Sequence, residues 1–472
     1  MQKIVYKTSW KKFSALIPVT ALTFLDQTIV PVALPAIQQQ MDGSNTSLQW
    51  CVNAYLLAIA VFVLISGKLS DRIGHKNALI WGVSGFILFS TLCGLSDRIW
   101  VLIGARALQG LSAAFMLPAQ TAMIGHIFPP ERRGRATGMI VSVGSLFLIL
   151  GPLVGGYLTQ AISWRWIFWI NWPIGVFGLW LIFKFLPVSE PGKGKIDLWG
   201  FAFFAIGTSS LTIMFMQVAD WGWVSSKMLL STCLALVSFF LLFKREKITA
   251  HPFLDLTLFK RPLFAAINIS VFTIQFIIMI TVFRTLYFQD VLNYSPFQTG
   301  LITFASSSPI LFMAPLAGFL SDRFNPRLPI ACGYLLLIFS FFYLAFLSTS
   351  SLPSLMIALF AFSIGIPFIF TPSFSSAIAS VPKQKTGVAM GMIITLRMLG
   401  GTIGLALIHL FVSMVQGIHL EVEGKRLAEI SSFSWVHFVL GFILIIAFAI
   451  TFVFHSRKST HHLPEAPAEG WD

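Results

Sequence analysis

The sequence predicts an all-α polytopic membrane protein: fourteen transmembrane helices arranged as two six-helix bundles with a two-helix hairpin inserted between them. Three observations carry this. The chain is too apolar to dissolve, its apolar runs are separated by loops that alternate in charge, and two of its motifs recur at offsets of 251 and 253 residues. Of 472 residues, 56% are hydrophobic and only 11% charged, and the mean hydropathy is +0.82. A soluble domain is nearer one quarter charged, so this chain could not cover its surface in water. In hydrocarbon every backbone group must find its partner internally, which makes the spans helices.

Fourteen apolar runs are long enough to cross a bilayer, which takes about 20 residues each. They fall near 14–39, 48–66, 78–96, 100–125, 136–158, 166–186, 198–217, 228–243, 263–287, 299–319, 328–347, 352–374, 388–412 and 434–454, the eighth being short. Alternate connections hold the positive charge. One side carries Lys3, Lys7, Lys11 and Lys12, then Lys68, Arg72 and Lys76, then Arg132, Arg133 and Arg135. It continues with Lys184, Lys193 and Lys195, the group Lys244, Arg245, Lys247, Lys260 and Arg261, and finally Arg323, Arg327, Lys383, Lys385, Arg457 and Lys458. That side has 24 of the 32 Lys and Arg, while the opposite loops hold only Arg98, Arg165, Lys227, Lys425 and Arg426. The positive-inside rule then puts both termini and all the basic loops in the cytoplasm, for a multi-pass protein of a cell inner membrane or plasma membrane. A net charge of +14 would suggest nucleic acid in a soluble protein; here topology accounts for it, and no nucleic-acid partner is expected.

The first run, preceded by Met1 to Lys12, is too long for a cleaved signal peptide and is expected to stay. Cys51, Cys93, Cys233 and Cys332 stand singly, without metal-ligand or disulfide-framework spacing. The boundaries expected are a tail over 1–13, a bundle over 14–190, the inserted hairpin over 191–247, a second bundle over 248–455 and a tail over 456–472.

The repeat is read from two motifs. Gly67, Leu69, Ser70, Asp71 and Arg72 match Gly318, Leu320, Ser321, Asp322 and Arg323, with Lys76 matching Arg327. Gly134, Ala136, Gly138 and Met139 match Gly387, Ala389, Gly391 and Met392. Spans 1–6 therefore correspond to spans 9–14, leaving spans 7 and 8 without a counterpart. Paired repeats around a midplane site are how membrane transporters are built.

Further residues carry a family likeness over nearly the whole chain. They are Leu25-Asp26-Gln27-Thr28-Ile29-Val30 with Ala33-Leu34-Pro35, the 67–76 turn, Arg106 with Gln109-Gly110, and Gly144 with Gly151-Pro152 and Gly155-Gly156. Trp164-Arg165-Trp166-Ile167-Phe168-Trp169-Ile170-Asn171 with Pro173 and Gly175, and Tyr294-Ser295-Pro296 with Gly300, complete the set. In order and spacing the chain resembles the major facilitator superfamily, and within it the fourteen-span drug:proton antiporters of the EmrB/QacA type. The resemblance implies the two-bundle rocker fold and proton-driven export, links the arginine at 106 to proton transfer, and labels the span 5 glycines an antiporter signature.

Asp26, twelve residues into span 1, is the only acid placed inside a span, so it must be protonated, paired or facing water. It is the candidate for proton or substrate coupling; the plain alternative is a packing or gating hydrogen bond. Arg106 stays charged at any relevant pH and is either its partner or a tie to backbone carbonyls. Arg397, deep in span 13 beside Gly400, Gly401 and Gly404, is a candidate for lining the cavity, whereas Arg284 is expected to snorkel to the interface. Gly144, Gly151, Gly155 and Gly156 are expected to share one helical face that admits a close neighbour, with Pro152 kinking the helix. Asp71 with Arg72 and Lys76 is expected to face a helix N-terminus or a basic partner and hold one conformation closed. Asp322 and Arg323 carry the same gating expectation less completely, since Asn325 and Pro326 depart from the first copy. Aromatics such as Trp50, Tyr55, Trp166, Trp169, Trp172 and Phe276 are read mainly as interface belt or lipid-facing.

No P-loop, catalytic set or metal spacing is present in the sequence, so the expectation is a non-enzyme without cofactor, driven by a proton gradient. The expected activity is proton-coupled export of lipophilic drugs or toxic compounds by alternating access, with a small-molecule substrate and the bilayer as partners. A periplasmic adaptor is expected only in a double-membrane bacterium. One Asp against three Arg within the spans weakens a dication pump and keeps open export of an endogenous product such as a siderophore or antibiotic. A non-transporting membrane sensor on the same scaffold is the alternative from another class.

Overall fold

A computed structural model describes residues 10–189, 196–249, 253–254, 256–324, 326–346, 351–379, 381, 386–423 and 425–456. Among the described residues, fourteen helices are long and apolar enough to cross a membrane. They are α1 (Trp10–Met41), α2 (Asn45–Ile73), α3 (His75–Leu95), α4 (Ile99–Ile127), α5 (Ala136–Ala161), α6 (Trp166–Phe185) and α7 (Leu198–Val218). The others are α8 (Ser226–Ile248), α9 (Pro262–Asp290), α10 (Pro296–Ser321), α11 (Arg327–Phe346), α12 (Leu352–Phe374), α13 (Ala389–Gln416) and α14 (Leu427–Val453). Because the number is even, Trp10 and Ser456 lie on the same side, called here the basic face.

Local chemistry sets the ends. Ser44 accepts from Ser47 N to open α2, Asp197 from Gly200 N to open α7, and Ser225 from Met228 N to open α8. Ser295 and Gln298 form a reciprocal capping box at α10, with Pro296 in the first turn, where its missing N–H costs nothing. Inside α10 the helix is interrupted at Ser308, where Pro309 cannot supply a backbone donor. α8 runs further than its apolar stretch, through Lys244, Arg245, Glu246 and Lys247. Arg245 pairs with Asp197 at 3.2 Å, and Glu246 Oε1 accepts from Phe253 N and Leu254 N at 3.0 Å each, which holds that polar turn helical.

Helix packing reproduces the repeat. In the first half α1 packs on α5, α4 on α2 and α3, and α6 on α3; in the second, α9 packs on α13, α12 on α10 and α11, and α14 on α11. The halves meet along two seams, α2 with α13 and α5 with α10, which the repeat exchanges with one another. The α7–α8 hairpin lies outside this symmetry, with α7 against α2 and α13. Phe62 and Phe201 mark that contact, their ring centroids 5.4 Å apart.

The α5 glycines do not share one face. A Cβ at Gly144 would meet Phe24, one at Gly151 would meet Thr28, and one at Gly155 would meet Ile29, all on α1; one at Gly156 would meet the Pro296 carbonyl on α10. Adjacent positions are turned by 100° on a helix, so Gly155 and Gly156 serve different neighbours. The α5 helix is continuous through Pro152, whose carbonyl backs onto Gly300 of α10. The α10-facing side of α5 then runs on toward the basic face through Ser145 and Ser142, which bond only to their own helix, to Gly138, where a Cβ would meet nothing within 4 Å. This seam is closed on the far face and opens toward the basic one.

Candidate functional site

Asp26, Arg106 and Gln109 come together inside the first half, and all three are sealed from solvent at 1% exposure or less. Arg106 Nη1 donates to Asp26 Oδ2 at 2.5 Å and to Gln109 Oε1 at 2.7 Å, while Gln109 Nε2 donates to Asp26 Oδ1 at 3.0 Å. Three side chains from two helices thus close a ring in which both carboxylate oxygens are bonded. Arg106 Nε donates to the Cys51 carbonyl at 2.9 Å, and the guanidinium lies 4.3 Å from the centre of the Tyr55 ring. α2 supplies both of these contacts because Cys51 and Tyr55 are four apart on one face. Arg106 and Gln109 share a face of α4 for the same reason, three residues apart.

Such an arrangement is a poor source of stability, since two charges are removed from water to make it. Removing either charge would leave the other buried without its counter-ion. Both readings made for Arg106, partner of Asp26 and tie to a carbonyl, are present at once. Gln109, a member of the ring, and Tyr55, which lies against its guanidinium, were not singled out by the sequence for these roles; the i, i+3 spacing from Arg106 was the available signal for Gln109.

Arg397 is in the other half and does not join this ring. Its Nε donates to Gln275 Oε1 at 3.0 Å and it lies 5.5 Å from the Phe370 ring centre, half-buried and, among the described residues, without a carboxylate partner. Arg284 does not snorkel. It is 3% exposed, donates through Nε to His437 Nε2 at 3.1 Å, and stands 4.4 Å from the Phe362 ring centre. α9 extends to Asp290, so Arg284 sits more than a turn inside the helix end, on its packed side.

At the basic face, Asp71 is exposed and lies 3.8 Å from His75, four residues on, which is a cationic partner only when its imidazole is protonated. Lys76 Nζ donates to the carbonyls of Phe183 and Leu186 at 3.2 and 2.8 Å, tying the turn to the C-terminal end of α6. Gly74, at φ +87°, occupies a backbone conformation that L side chains rarely adopt, and a Cβ there would strike the Ser189 carbonyl. Gly67 approaches Pro118 on α4, and Arg72 is exposed. In the second copy Arg323 lies over the Phe319 and Phe324 rings; the Asp322 side chain and Asn325 lie outside the described residues.

Two repeated six-helix halves, meeting at paired seams and holding a desolvated ion pair near midplane, define a membrane transporter rather than an enzyme. The chain belongs to the Major Facilitator Superfamily, whose family model matches residues 16–405. It is 32% identical over 390 residues to multidrug resistance protein Stp of Mycobacterium tuberculosis, covering 82% of this chain and 73% of that one. It is 28% identical over 445 residues to riboflavin transporter RibZ of Clostridioides difficile, covering 93% and 95%. The fold is similar to the crystal structure of a bacterial homologue of the human lysosomal transporter Spinster, with a TM-score of 0.67 at 17% identity over 94% of this chain and 96% of that one.

Proposed function

We propose that this transporter is a proton-coupled exporter of lipophilic drugs or toxic compounds, working by alternating access with its basic face in the cytoplasm. The observation that carries the reading is the sealed Asp26–Arg106–Gln109 ring. Protonation of Asp26 removes half of the ion pair, leaves Arg106 without its counter-ion, and so biases the packing of α1 against α4. That bias reaches the seams through α1, against which α5 is packed at Gly144, Gly151 and Gly155. The 24-to-5 division of basic residues supports the orientation, and the name of the Mycobacterium relative supports the substrate class.

Proton movement in inverted vesicles with a preformed pH gradient tests the reading. Cationic and neutral drugs should discharge the gradient in the wild type and not in Asp26→Asn. Equal discharge by both proteins would remove Asp26 from coupling, and solute flux without proton movement would remove the coupling itself.

A second reading, export of a particular endogenous compound, is favoured by one feature: the half-buried Arg397, with Gln275 as its hydrogen-bond partner. A cation so placed suits an anionic or zwitterionic ligand, and one relative is named for riboflavin. In the same vesicles, discharge by anionic chelators alone, lost in Arg397→Gln, would establish this reading over the first.

A further inference from the structure

The second half holds a buried cation that its surroundings leave half satisfied. Arg284 lies on the outer part of α9, and its guanidinium stays charged at any relevant pH. Its Nε donates to His437 Nε2 on α14 at 3.1 Å, and its Nη2 is buried without any hydrogen-bond partner. The Phe362 and Phe341 rings lie 4.4 and 5.2 Å from it. No carboxylate pairs with it among the described residues. A charge buried in this way within a span is costly and marks a functional position.

The imidazole has one protonation state that fits. His437 Nδ1 lies 2.7 Å from the Phe433 carbonyl, which can only accept, so Nδ1 carries the hydrogen. Nε2 faces a guanidinium, which can only donate, so Nε2 is bare. A second proton, on Nε2, would set two donors and two positive charges against each other. No other neighbour offsets that. α11 presents Phe341, its ring 5.4 Å from the imidazole, and on α13 His409 is turned to Thr46 of α2. On α9 Tyr287 stacks on Phe433, and on α14 itself Glu429 stands more than two turns away.

α9 also has a place to bend. The helix is interrupted at Met279, whose N–H turns back to the Phe276 carbonyl at 3.3 Å, and a tightened turn within a helix often marks a hinge. The outer segment, Ile280–Asp290, carries both Arg284 and Gln289. Gln289 Nε2 donates to the Val32 carbonyl of α1 at 3.0 Å, across the two halves.

We propose that His437 is a second proton-binding group of this transporter, and that its bond to Arg284 is a latch on the far face. Neutral, the imidazole accepts from Arg284 and holds the outer segment of α9 against α14. Protonated, it cannot accept, and the segment swings away and draws Gln289 off Val32. The site lies in the other half from Asp26 and is read without substrate or flux, so it stands or falls apart from the coupling reading.

Double electron–electron resonance on the full chain in lipid nanodiscs provides the test. Spin labels go on Gln39→Cys and Leu427→Cys, exposed positions at the far-face ends of α1 and α14, with Cys233 and Cys332 replaced by serine. An ordinary imidazole is half protonated at about pH 6.5, so the ratio of long to short distances should rise about tenfold between about pH 8 and about pH 5.5. His437→Gln and Arg284→Gln each put an amide at one end of the bond, which can accept as well as donate and takes up no proton. Both variants should therefore keep the short distance at either pH, and either one suffices if the other fails to fold. Absence of the rise in the wild type would overturn the proposal. So would the same rise in the variants, which would assign it to Asp26 or another group left intact, or long distances at both pH values in the variants, which would make the bond a packing contact only.

Discussion

Breaking a buried ion pair from one side is expensive because the remaining charge has nowhere to go, while removing both charges is cheap. Arg106→Ala leaves the Asp26 carboxylate with Gln109 as its one remaining side-chain donor in the ring and should cost about 3–5 kcal/mol. The double variant Asp26→Asn, Arg106→Gln removes both charges and should recover most of that loss. Thermal unfolding in detergent of the two single variants and the double variant gives the coupling directly. A double variant no more stable than Arg106→Ala would show that the observed pair is not an ionised unit. Both charges were legible in the sequence, because a charged residue within an apolar run is conspicuous. Their pairing was not, since the rotation of α1 against α4 is set by packing between helices that neither local pattern encodes. The same gap explains Arg284: hydropathy put it near an interface, whereas its bond to His437 on α14 depends on which side of α9 faces the second half.

At the level of elements, the number of spans and their repeat could be read before any coordinate, because both are written in periodic hydrophobicity and in motif spacing. Which neighbour each glycine of α5 admits could not be, and that division has a consequence. Gly156 abuts the Pro296 backbone across the seam between halves, whereas Gly155 abuts Ile29 within its own half. Leucine at Gly156 should therefore push α10 away at the far face, overpacking of this kind costing about 1–3 kcal/mol. A cysteine at Thr299, where the native side chain is fully buried on α10, reports the change. Its maleimide labelling should rise about tenfold in the Gly156→Leu background, the lower part of that energy range, and stay unchanged in Gly155→Leu. Equal labelling in both backgrounds would mean that the glycines act as one surface after all.

At the scale of the whole molecule, the closed far face and the open basic-face end of the α5–α10 seam are one arrangement of two rigid halves, and transport needs the reverse arrangement as well. The α2–α13 seam offers a place to forbid it. Thr46 Oγ1 and His409 Nε2 stand 3.3 Å apart across that seam on the far face, both buried, with Asn53 Nδ2 donating to the Thr402 carbonyl two turns deeper at 3.2 Å. Cysteines at 46 and 409 are therefore placed to join α2 to α13 where the halves must part for the far face to open. The exposed Cys233 is replaced by serine to avoid a competing thiol. Oxidation of this pair in proteoliposomes should stop substrate flux, and dithiothreitol should restore it, while either single cysteine should be unaffected by oxidant. Ligand binding from the basic face should survive the cross-link, because the bond holds the arrangement already observed. Full-rate flux through fully cross-linked protein would mean that this seam never opens, and the halves would then have to move about it as an axle, with all of the far-face opening carried by α5 and α10.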